Sequence, residues 1–124
     1  MKKMLVIDDN IEFRNMISDY FSEFGFEVIQ AENGEIGLET ARKISPDIIF
    51  LDVMMPDKSG IEVLRELQTD ENTVNIPVMV ITGTYFEKTM NDLFLQESNC
   101  RGFISKATDI SAIQKKVEEI IPRK

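Results

Sequence analysis

The sequence predicts an α/β domain: a doubly wound, five-stranded parallel sheet with five helices on its two faces. Three observations predict it. Short apolar runs of strand length alternate with longer segments whose apolar residues recur at steps of three and four. The alternation repeats five times within 124 residues, a length that suits one core. Each intervening segment is long enough to return the chain across the sheet, as parallel strands require of their right-handed crossovers.

The elements follow in order. Leu5-Val6-Ile7 reads as a buried strand, and Phe13, Met16, Ile17, Tyr20, Phe21 and Phe24 then fall on one helical face that ends at Gly25. Glu27 to Ala31 is a second strand, Asn33-Gly34 a turn, and Leu38, Ala41 and Ile44 the stripe of a second helix that stops before Pro46. Ile48 to Val53 is an apolar run broken only by Asp52, the pattern of a strand covered on both faces. Ile61, Leu64 and Leu67 mark a third helix, Val78 to Ile81 a fourth strand after Pro77, and Met90, Leu93 and Phe94 a less regular fourth helix. Gly102 to Ser105 is a short fifth strand. Thr108 or Asp109 then caps a helix lined by Ile110, Ile113, Val117, Ile120 and Ile121.

Composition removes several function classes. No apolar run approaches the roughly 18 residues of a bilayer span, and Asp8-Asp9 stop the opening apolar run too soon for a signal peptide. A cytoplasmic protein without a membrane partner is expected. Cys100 is the single cysteine, so no intramolecular disulfide forms and a buried structural thiol is expected. With 14 basic and 22 acidic side chains the formal charge is -8, which opposes direct nucleic-acid binding. The absence of histidine removes imidazole metal ligands and any phosphohistidine carried by this chain.

In open parallel sheets the ligand site lies at the carboxyl ends of the strands. Five residues are placed there: Asp8 and Asp9 after the first strand, Asp52 on the third, Thr82 after the fourth and Lys106 after the fifth. Singly, each has a plain explanation. Asp8 and Asp9 with Asn10 would cap a helix, Thr82 would be a turn hydroxyl and Lys106 a solvated amine. Asp52 is harder to dismiss, because a carboxylate within such an apolar strand loses hydration. Together, three carboxylates at one edge call for a hard divalent cation. Magnesium suits an all-oxygen donor set that leaves room for water and phosphate. Asp52 would then be the nucleophile for a phosphoryl group, with Lys106 as a point charge and Thr82 as a hydroxyl donor to the attached group.

These residues resemble the response-regulator receiver domain from about Lys3 to Ile121. The resemblance is carried by Asp8-Asp9, by Asp52-Val53-Met54-Met55-Pro56-Asp57-Lys58-Ser59-Gly60, by Thr82-Gly83 and by Phe103-Ile104-Ser105-Lys106. It implies a flavodoxin-like sheet of strand order 2-1-3-4-5 and one receiver domain over residues 1–124. It also implies an aspartyl-phosphate switch, not an enzyme beyond slow self-phosphorylation from small donors and autodephosphorylation. By the same resemblance Asp9 and Asp52 bind Mg2+ (or Mn2+) directly, Met54 binds it through its backbone carbonyl and Asp8 through water, and Phe103 is the aromatic switch residue. The implied partners are a histidine kinase or histidine phosphotransfer protein and a downstream protein that meets the face of helix four, strand five and helix five.

Two departures from the family pattern are expected to matter. Ala107 stands where a proline usually follows the lysine, so a trans bond is expected there. The switch ring is Phe rather than Tyr and has no hydroxyl. Met54 and Thr84 flank the site and are expected to tune phosphoryl lifetime. A nucleotide- or flavin-binding domain would want a glycine- or hydroxyl-rich cradle after strand one, where Asp8-Asp9-Asn10 stands instead. An aspartate-nucleophile phosphatase would want a second aspartate where Met54 stands. The remaining rival is a receiver-fold module that acts without phosphorylation, or a fragment of a longer regulator.

Overall fold

A computed structural model describes residues 1–56, 58–83 and 93–122. The strands are β1 (Lys2–Ile7), β2 (Phe26–Ala31), β3 (Ile48–Asp52), β4 (Val78–Thr82) and β5 (Cys100–Ser105). They form one parallel sheet of order β2-β1-β3-β4-β5, as the resemblance implies. The helices are α1 (Ile11–Ser22), α2 (Gly34–Ile44), α3 (Gly60–Gln68), α4, of which residues 93–95 are described, and α5 (Ile110–Ile120). Met90, expected on the fourth helix, lies outside the described residues, as do Asp57, Thr84 and Tyr85.

Alternation along the strands divides the core into two layers. Leu5, Ile7, Ile49, Leu51, Val78 and Val80 face α2 and α3, where Leu38, Ala41, Val63, Leu64 and Leu67 close one cluster. Met4, Val6, Ile48, Phe50, Met79 and Ile81 face α1 and α5, closed by Phe13, Ile17, Phe21, Ile113 and Val117. Cys100 is buried in the first cluster, as expected of a structural thiol, and burial pushes its thiol pKa up.

The local devices follow the sequence closely. The side chains of Asn10 and Asn33 accept the N–H groups of Phe13 and Ile36 and so cap α1 and α2. Ser59 and Glu62 form a reciprocal capping box at α3. Four expectations need correction. Met16 is 41% exposed, because six candidate positions span more arc than one buried stripe, and Phe24 lies in a turn beyond Ser22. The αL glycine Gly25 therefore serves that turn rather than the helix end itself. Strand β5 starts at Cys100 and not Gly102: a register shift at Val78/Met79 pairs Cys100 with Val78 and Gly102 with Met79, so Arg101 interrupts the alternation. Asp109 occupies the N-cap of α5 without a side-chain cap, its carboxylate accepting instead from the Ser111 hydroxyl. No described peptide bond is cis, so Lys106-Ala107 is trans as expected.

Candidate functional site

Strand order brings the carboxyl ends of β1, β3, β4 and β5 to one edge, and four of the five candidate side chains there are at least half buried. Asp8, Asp52 and Thr82 are 1%, 6% and 2% exposed, while Asp9 stays open to solvent. Each of Asp8, Asp9 and Asp52 offers a carboxylate oxygen within 4.8 Å of the others. Lys106 Nζ lies 2.8 Å from Asp8 Oδ2 and 3.9 Å from Asp52 Oδ1. The expectation that these residues converge is met, with one refinement: in this state the lysine belongs to Asp8 more than to Asp52.

The backbone holds each group. The Asp8 N–H donates to the Ala31 carbonyl, and Asp8 Oδ1 accepts the N–H of Asn10, the N-cap of α1, at 2.9 Å, while its Oδ2 faces Lys106, so the helix cap itself falls to Asn10 and not to Asp8. Thr82 pairs with Ser105, and its carbonyl accepts the Lys106 N–H at 2.7 Å, which ties the hydroxyl and the amine to adjacent strand ends. The Ser105 hydroxyl accepts the Ala107 N–H at 3.0 Å and braces the turn after the lysine. Met54 is 70% exposed and lines, with Asp9, Val53, Met55, Pro56 and Ser59, an open cleft of about 410 Å³ beside the carboxylates.

Charge is out of balance in this cluster. Three carboxylates face one ammonium, and Asp52 bears the consequence: burial first, then Asp8, push its pKa up to about 7, against the opposing pull of Lys106. The donors are all hard oxygens, one of them solvent-facing beside a cleft. That set fits a small divalent cation that keeps some of its own water.

Three residues support the site in ways that the sequence reading did not give. Arg14 is buried, donates to the Asp8 carbonyl at 2.7 Å and reaches Gln30 Oε1 at 3.0 Å, so it clamps the acidic loop to β2. Its signal was a basic residue on the buried face of α1, three before Ile17 and seven before Phe21. Gly60 packs so closely under the site that an added Cβ would lie 2.6 Å from the Asp52 carbonyl oxygen. The third is Phe13, whose ring centroid is 4.8 Å from Lys106 Nζ. Its place in the apolar stripe masked any other use.

Comparison with known proteins agrees with this architecture. The polar-differentiation response regulator DivK of Brucella anthropi is 29% identical over 109 residues, 88% of this chain and 87% of its own. The chemotaxis response regulator CheY4 of Vibrio cholerae superposes with a TM-score of 0.89 at 25% identity, covering 98% of this chain and 99% of its own. The receiver domain of sensor histidine kinase PA1611 from Pseudomonas aeruginosa, solved with a magnesium ion coordinated in its active-site cleft, shares the fold with a TM-score of 0.86 at 20% identity over 98% of both chains. The family model for the response regulator receiver domain matches residues 4–118, and the chain belongs to that family of two-component response regulators.

Proposed function

We propose that this chain works as a phosphoacceptor switch of a two-component system in the cytoplasm, with Asp52 as the acceptor. The observation that carries the reading is the convergence of Asp8, Asp9, Asp52 and Lys106 at one sheet edge beside an open cleft. A carboxylate oxygen of Asp52 attacks the donor phosphorus, the phosphorus–nitrogen bond of a phosphohistidine breaks, and the imidazole leaves with the electron pair. With acetyl phosphate the phosphorus–oxygen bond breaks and acetate leaves.

Asp9, Asp52 and the Met54 carbonyl would hold Mg2+ or Mn2+ directly, and Asp8 would hold it through water. When bound, the cation neutralises the acidic edge and stabilises charge on the transferring oxygens. Asp8 meanwhile holds Lys106 in reach of Asp52. Lys106 then pairs with a phosphoryl oxygen, and the Thr82 hydroxyl donates to another. This draws β4 toward the phosphate, with Phe103 turning inward and changing the face that β5 and α5 offer a downstream partner. The kinase or phosphotransfer protein meets the open side lined by Asp9 and Met54.

The test is intact-mass measurement after incubation with acetyl phosphate, with and without magnesium, for wild type and Asp52→Asn. The expected result is a labile, magnesium-dependent gain of one phosphoryl group that the variant lacks. No gain under any condition would refute the switch chemistry and favour a phosphorylation-independent interaction module.

A further inference from the structure

We propose that Phe13 is a positioning residue for Lys106: its ring forms one wall of the seat in which the ammonium moves between Asp8 and the phosphoryl group on Asp52. The inference rests on the phosphoacceptor reading above and adds a residue to its machinery.

The lysine has three N–H donors, and among the described residues the oxygens facing them are those of Asp8 and Asp52. Nζ faces Asp8 Oδ2 at 2.8 Å, and Asp52 Oδ1 lies farther off at 3.9 Å. On a further side stands the face of Phe13, with 4.8 Å from Nζ to the ring centroid. The side chain of Lys106 is only 20% exposed, and a Cβ on Gly83 would lie 3.4 Å from its Cδ, so the stem is confined along the β4 turn as well. The ring is anchored by the core and not by the lysine. Phe13 is 7% exposed and sits in the α1 and α5 core layer with Val6, Ile17 and Phe50.

An aromatic face attracts a cation without demanding a fixed donor direction. It can keep the ammonium from drifting outward while leaving it free to slide from the Asp8 carboxylate to a phosphoryl oxygen. A carboxylate or carbonyl at the same place would hold the N–H groups and compete with the phosphate. The need is local to this chain, because Ala107 leaves the turn after Lys106 without the constraint of a proline ring, and among the described residues the turn is held by Ser105, whose hydroxyl accepts the Ala107 N–H and whose carbonyl accepts the Thr108 N–H.

The test separates the electrostatics of the ring from its bulk. Mono-, di- and trifluorinated phenylalanine placed at position 13 preserve shape while progressively emptying the ring face of negative potential. The rate of acetyl-phosphate-driven phosphorylation should fall stepwise along the series, by about 5-fold at trifluorination. In the NMR spectrum of wild type, the Lys106 ε-methylene protons should lie upfield of those of the solvated lysines, and should return to ordinary positions in Phe13→Leu.

A flat rate along the fluorinated series with active wild type would overturn the positioning role and leave the phosphoacceptor reading standing. Ordinary ε-methylene shifts in wild type would overturn the contact itself. Wild type that takes up no phosphoryl group at all would refute both readings together. The fluorinated series keeps the question decidable if Phe13→Leu proves unstable.

Discussion

Burial and the two neighbouring carboxylates act together on Asp52, and the result has a sign that can be measured. Its pKa rises from 3.8 to about 7, so the folded protein holds a proton there that the unfolded chain releases earlier. The stabilisation from that proton is complete below about pH 4 and is lost as pH rises through about 7. The span corresponds to at most about 4 kcal/mol. In chelator, the melting temperature of wild type should therefore fall between pH 5 and pH 8, and that of Asp52→Asn should fall less. At pH 8 the variant should be the more stable protein, since it removes one of the three clustered carboxylates. Magnesium should raise the melting temperature of wild type more at pH 8 than at pH 5, because it binds the ionised cluster. Thermal unfolding followed by circular dichroism reads all three, and parallel pH curves for the two proteins would contradict the charge account. The Arg14 clamp makes a separate claim: Arg14→Met keeps the apolar stem but leaves the Asp8 carbonyl without its charged donor. It should lower stability by about 2 kcal/mol in denaturant titration and weaken magnesium binding. Unchanged magnesium affinity would confine Arg14 to a structural role.

At the scale of elements, the seat of Asp52 depends on how closely α3 enters beneath it. The Gly60 N–H donates to the Val53 carbonyl at 2.9 Å, and a Cβ there would meet the Asp52 carbonyl oxygen at 2.6 Å and Val53 Cα at 3.0 Å. Alanine gains up to about 1 kcal/mol of helix propensity over glycine. The obstructing atoms are backbone, however, so the end of β3 or the start of α3 must shift, and the clash outweighs the gain. Gly60→Ala should lose about 2 kcal/mol of stability and slow phosphorylation of Asp52. Stability at or above wild type would show that the loop yields easily. This close approach illustrates what a one-dimensional pattern carries and what it does not. Strand positions were legible because β3 and β4 are covered on both faces and read as apolar runs that end in Asp52 and Thr82. The cap of α1 was legible because Asn10 immediately precedes the helical period. The β5 start was not, since its bulge depends on a register with β4 that the sequence does not display. Among site residues, Asp8, Asp9, Asp52, Thr82 and Lys106 stand out as polar groups ending apolar runs. Phe13 and Gly60 act through close approach across the fold, and their types, an aromatic in a helix stripe and a glycine before a helix, are ordinary in one dimension.

At the scale of the whole molecule, the proposed switch requires that chemistry at one edge be converted into a different surface. Thr82 and Lys106 stand on the ends of β4 and β5, and Phe103 lies two strand positions behind Ser105 with its ring against Phe94 of α4, centroids 5.4 Å apart. Shifting a switch from 1:99 to 99:1 takes about 5.5 kcal/mol of differential stabilisation. In the proposed switch, a hydrogen bond from the Thr82 hydroxyl to a charged phosphoryl oxygen would contribute about 1.5 to 3 kcal/mol of this, and Lys106 would supply much of the remainder. Thr82→Ala should then accept a phosphoryl group yet respond poorly to it, its active-to-inactive ratio falling from about 99:1 to between about eight to one and even. Two-dimensional NMR of the phosphorylated forms would read this at Phe103, Phe94 and along α5. Wild type should show large shifts there on phosphorylation, and Thr82→Ala should show positions intermediate between the two states. Intermediate positions identify a population-weighted average, which a merely damaged site would not give, because loss of acceptor chemistry would leave the resonances at their unphosphorylated positions. If Thr82→Ala reached the full wild-type shifts, the hydroxyl would carry no part of the coupling, and Lys106 with its seat between Asp8 and Phe13 would have to carry it alone.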